Sequence, residues 1–128
     1  MAKVHRGQGD LKRALTEYER SLRLREKLGD EVGQARTLNS IGFIHTQQGR
    51  YVEALGSYER SLRLAEKLRE EPGQAFILSR IGNLYHVQGR DAEALSFYER
   101  AFEIADRLGT PERETYRRLR DQMRAPSR

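Results

Sequence analysis

Polar and apolar residues alternate along this chain with a helical rhythm. Between about Leu11 and Leu28 the inward positions are Ala14 or Leu15, Tyr18, Leu22, Leu24 or Arg25, and Leu28. Steps of three and four place them on one stripe of an α-helix. Two further stretches, about Tyr51 to Leu68 and Asp91 to Leu108, carry the same stripe. The first two agree at twelve of eighteen positions, 11–28 against 51–68. Between them, helices are predicted from about Glu31 to Gln48 and from Pro72 to near Gly89. Pro72 suits a first turn, where its missing N–H is no loss. Glycines punctuate the pattern: Gly9 before Asp10, then Gly29, Gly49, Gly89 and Gly109. Gly109-Thr110-Pro111 reads as stop, cap and first-turn proline. A last stripe of Tyr116, Leu119 and Met123 lies among five arginines and is expected to be a capping helix. Residues 1–8 are expected to be the end of a short first helix, which makes seven helices in all.

The stripes recur with a period of 40 residues. Ala14, Ala54 and Ala94 share a phase, as do Tyr18, Tyr58 and Tyr98. A fixed period of this size marks stacked structural repeats, each packing on its neighbours. Gly42 and Gly82 are expected to bring the first helix of a unit close to its second. The small Ala54 and Ala94 do so from the other side, and Tyr58 and Tyr98 fill the space beyond.

The recurring residues resemble the tetratricopeptide repeat. Leu38-x2-Ile41-Gly42-x2-His45 followed by Ala54-x3-Tyr58 matches the family's pattern, and Leu78, Ile81, Gly82, Tyr85, Ala94 and Tyr98 match it better. The family's tryptophan is leucine here, and its closing proline is missing because each second helix is longer. This extended form resembles arrays in bacterial signalling and regulator proteins and in Pins-like adaptors. The resemblance implies an all-α fold, a right-handed α-solenoid of antiparallel helix pairs with a C-terminal cap. Residues 1–29 would be a truncated first repeat, 30–69 the second, 70–109 the third, 110–124 the cap and 125–128 a frayed tail. Because the chain opens in mid-repeat, a fragment of a larger signalling or regulatory protein is expected.

Composition narrows the function. With 37% hydrophobic and 34% charged residues the chain resembles a disordered one, but the strict periodicity argues for thin amphipathic helices. The net charge of +5 is spread through outward stripes where arginine neighbours glutamate, as in Glu59-Arg60 and Glu99-Arg100. That is a solvated helix face, and no nucleic-acid role is expected. Without cysteine there is no disulfide, thiol nucleophile or thiolate metal site. Neither a leader-like start nor a membrane-length apolar run is present, so a cytoplasmic address away from membranes is expected.

No catalytic constellation emerges, and the chain is not expected to be an enzyme. His45 shares a phase with Tyr85, an aromatic packing position, and His86 lies on another face. No His-x3-His pair offers a zinc site, and Ser57, Ser61 and Ser96 have no histidine in phase to activate them. Gly49 and Gly89 belong to turns rather than a phosphate loop. Neither metal nor cofactor is expected.

A protein or peptide partner is expected instead. The resemblance implies that the first helix of each unit lines a concave groove. On one such helix the stripe is Arg36, Asn39, Phe43 and Gln47; on the next it is Phe76, Arg80, Asn83 and Val87. Asparagine is a poor helix former with both donors and acceptors, suited to holding peptide backbone. Arg36 and Arg80 suggest an acidic ligand, although the carboxylate-clamp set of chaperone adaptors is incomplete. The alternative is a self-assembly module without a specific ligand. There, Leu15, Tyr18 and Leu22 would form an uncovered N-terminal strip that pairs two copies into a homodimer.

Overall fold

A computed structural model describes residues 7–124. Among these residues six helices follow one another: α1 (Gln8–Leu28), α2 (Glu31–Gln47), α3 (Tyr51–Lys67), α4 (Glu71–Val87), α5 (Asp91–Leu108) and α6 (Arg113–Arg124). Among the described residues there is no strand, and the fold is an all-α solenoid. No helix there is long and apolar enough to cross a membrane. The chain divides into two compact units, Met1–Leu64 and Ala65–Arg128, each described by itself below.

The helix ends follow from side-chain chemistry. Asp30 accepts a hydrogen bond from the Gly33 N–H at 2.9 Å, and Glu70 does the same for Gly73 at 2.9 Å. Each satisfies one of the N–H groups that a helix start leaves without an intrahelical partner. Gly29 and Gly109 end α1 and α5 in the left-handed conformation, with φ of 69° and 70°. Arg69, in the same phase, adopts it too, with φ of 56°. Here a Cβ crowds the following carbonyl oxygen, so the conformation is strained for arginine.

The chain's start differs from the expected pattern. Gly9 does not break a helix; it lies with Asp10 inside the first turn of α1. A first turn tolerates glycine because its N–H groups need no intrahelical partner, and Asp10 faces the positive end of the helix dipole. The expected short helix over 1–8 falls mostly outside the described residues, and Gln8 opens α1 instead.

In the first unit, Leu15 packs with Ile41 and Ile44, with Leu11, Ala14 and Leu22 around them. Leu15 and Leu22 belong to the strip expected to lie open. Leu15 is only 9% exposed because α2 covers it, and Leu22 is half-buried. Tyr18 alone stands out, at 39%. Leu24 and Leu28, also expected to face inward, are exposed, Leu28 at 70%. Tyr58, the counterpart of Tyr18, is 1% exposed because its ring lies against Gly42 of α2. Among the described residues α1 has no preceding helix to cover the matching face. Ser61, fully buried, ties α3 to α2 by donating to the Ala35 carbonyl at 2.6 Å.

The second unit repeats the close approach with Tyr98 against Gly82. Ala94 and Ala101 on α5 have no exposed surface, and Leu78, Ile81 and Leu84 on α4 are equally deep. α6 packs on α5. Tyr116 is buried, Leu119 and Met123 are half-buried, and the Arg120 guanidinium lies 4.5 Å from the Phe102 ring centre. Arg124 bonds Glu99 at 2.7 Å near its C-terminal end.

Candidate functional site

Once α2 and α4 have buried one face, each presents a second stripe outward. On α2 that stripe holds Arg36, Phe43 and Gln47, all exposed, with Asn39 half-buried between them. The Asn39 Oδ1 is buried and has no hydrogen-bond partner. His45 lies on the buried face, as its aromatic phase predicts.

The α4 stripe is more elaborate. Phe76 is 40% exposed and Arg80 lays its guanidinium 4.8 Å from that ring's centre. Spacing of i and i+4 brings the two together on the helix surface. One turn further, Asn83 is exposed, and its Oδ1 accepts the Tyr98 hydroxyl. That bond fixes the amide so that its NH₂ remains to donate to a ligand carbonyl or carboxylate. Val87 ends the stripe, exposed. On the side facing α5, Tyr85 stacks on Phe97 with ring centres 5.5 Å apart, and Arg90 covers the Tyr85 ring at 4.8 Å.

The sequence alone did not reveal that α6 completes this region. Tyr116 stands in the phase of Phe76 and Arg36, which was the available signal. Its ring, with Phe76, Ala105 and Leu108, lines a cavity of about 300 Å³ between α4, α5 and α6. Burial raises the Tyr116 pKa; the neighbouring Ser79 side chain opposes it, and the charges of Glu112 and Arg80 add smaller pushes up and down respectively.

Burial pushes the Tyr98 hydroxyl up from 10.0 to about 12, with a further contribution from the Asp91 charge. A raised acid pKa means the folded protein keeps its proton where the unfolded chain has lost it. The stabilisation is therefore complete below pH 10 and disappears as pH rises toward 12. In denaturant titrations, the stability of the natural protein relative to Tyr98→Phe should fall by about 1.4 kcal/mol per pH unit across that window. Parallel curves would show that Tyr98 ionises freely. At the acid end, the Gly33 N–H and then Arg25 lower the Asp30 pKa, and Arg107 lowers that of Glu71. Both contributions are present above the ordinary carboxylate range and are lost on acidification.

His86 bonds Asp91 at 2.9 Å on an exposed edge. Among the described residues, no three His, Asp or Glu side chains cluster to hold a metal ion.

Comparison with known proteins agrees with this geometry. A family model described as tetratricopeptide repeat matches residues 1–67 and 33–107. No curated protein matches the chain. Among solved structures, BtubC (BKLC) from P. vanneervenii is similar over 94% of this chain, with a TM-score of 0.67 and 20% identity. The match spans 62% of that protein's chain. At this identity the likeness concerns the fold.

Proposed function

From the premise that this chain belongs to the tetratricopeptide repeat family, we propose that it is a protein-interaction module. Repeats of this family generally mediate protein–protein interaction or scaffolding. In this reading, the stripe of α2 and the stripe of α4 each offer contacts to a peptide or helix of a partner, without covalent chemistry. The observation that carries it is Asn83, an exposed amide fixed by Tyr98 between exposed Phe76 and Val87. Two apolar contacts flanking an oriented donor suit an extended peptide, whose backbone offers a carbonyl at each residue.

The charge on these stripes favours an acidic segment. Arg36 is exposed on α2, and Arg80 is held over Phe76 on α4. Fluorescence anisotropy with a labelled decapeptide rich in Asp and Glu tests the reading. Binding should disappear in a chain carrying both Arg36→Glu and Arg80→Glu, while its circular dichroism stays unchanged. Rising salt should weaken binding to the natural protein, since exposed charges are screened beyond about 8 Å at physiological ionic strength. Full binding by the double variant, or binding insensitive to salt, would exclude an acidic ligand held by these arginines.

A further inference from the structure

We infer that the cavity between α4, α5 and α6 receives one bulky apolar side chain of a partner peptide, beside which Glu112 holds a lysine or arginine. The inference rests on α4 being a partner-binding helix, and it names the side chains that helix selects.

The cavity is built from fixed parts. Phe76, Ala105, Leu108, Thr110, Glu112 and Tyr116 are among the residues that line it. Tyr116 is 4% exposed, so packing holds its ring in place. Phe76 is pinned by Arg80 on α4, whose first turn is capped by Glu70. Among the described residues no side chain fills the space, and Phe76 and Leu108 remain 40% and 39% exposed beside it. At about 300 Å³ it lies at the small end of ligand clefts. That is room for a leucine or a ring, not for a folded surface. Covering the two exposed apolar walls removes them from water, which favours an apolar occupant.

Charge decides what stands next to that side chain. Glu112 is the one charged residue lining the cavity. It is exposed, and its carboxylate joins no ion pair among the described residues. Nearby cations already have partners: Arg107 with Glu71, Arg113 with Asp106 and Glu114, and Arg80 with the Phe76 ring. The charge on the cavity's own lining is negative. It therefore attracts a cationic neighbour of the apolar side chain and repels an acidic one.

The test is an amide NMR titration of the full chain with two probes, N-acetyl-Leu-Arg-amide and N-acetyl-Leu-Glu-amide. The Gly73 and Thr110 amides report the cavity, and those of Asn83 and Val87 report the rest of the α4 stripe. Gly73 and Thr110 should shift saturably, with the arginine probe binding about two- to fivefold more tightly than the glutamate probe. Glu112→Lys, at an exposed site, should keep the circular dichroism of the natural protein and reverse that order. An unchanged preference in Glu112→Lys overturns the inference, and so does the absence of saturable shifts at Gly73 and Thr110. Shifts confined to Asn83 and Val87 would sink the cavity while leaving α4 as a partner surface. Silence at all four amides would sink both.

Discussion

Tyr58→Ala is expected to lower the unfolding free energy by about 3–5 kcal/mol, measured by urea denaturation. The ring is 1% exposed and fills the space between α3 and α2. Removing it costs the transfer of its atoms and leaves a void beside Gly42, whose missing side chain cannot fill it. Arg60, two residues on, provides the contrast. It points to solvent and meets Glu26 at 3.4 Å in an exposed ion pair. Arg60→Ala should stay within about 0.5 kcal/mol, since exposed pairs contribute little. Comparable losses for the two variants would mean the faces of α3 are misassigned.

The reverse change is expected to be nearly as damaging. A Cβ placed on Gly82 would lie 2.7 Å from the Tyr98 Cε1 and 2.8 Å from its Cδ1. Gly82→Leu would add three carbons beyond that atom. The Tyr98 ring cannot swing away, being buried and bonded to Asn83. A loss near the top of the roughly 1–3 kcal/mol range for overpacked cores should follow, outweighing leucine's better helix propensity. Gly56 separates the two effects, because a Cβ there meets nothing within 4 Å. Gly56→Ala should stabilise by about 0.5–1 kcal/mol through backbone entropy alone. A Gly82→Leu chain as stable as the natural one in urea would show that α4 and α5 are not in close contact.

These positions were legible in the sequence because each recurs. Gly42 and Gly82, Ala54 and Ala94, and Tyr58 and Tyr98 all occupy the places their common phase predicts. Phase is less informative where no neighbouring helix lies among the described residues. Tyr18 has the same sequence surroundings as Tyr58 but different exposure, because burial depends on a second helix that a local pattern does not contain. Gly9 misled for a related reason. A glycine marks a turn only where φ must be positive, as at Gly49 and Gly89, and the first turn of α1 makes no such demand. For the candidate stripes, Arg36, Phe43, Gln47, Phe76, Asn83 and Val87 are exposed and Asn39 and Arg80 half-buried. The pattern did not reveal that Arg80 covers Phe76, that Tyr98 holds Asn83, or that Tyr116 closes a cavity with Phe76. Those relations depend on side-chain direction and on packing between separate helices.

Arg69 bears on how such repeats can change over time. It holds a left-handed turn that its counterparts Gly29 and Gly109 adopt without strain. The fold therefore does not require glycine at this phase; it prefers it, by about 1–2 kcal/mol for an ordinary residue. A preference of that size is small enough for one copy to lose while the others keep it. Duplicated units can thus drift apart first at their turns, where a lost glycine weakens the chain without altering its course. The Gly42 and Gly82 positions have no such latitude, because there a side chain would collide with a buried ring. The same residue type is negotiable at one phase of the repeat and fixed at another, so divergence between copies should collect at the helix ends.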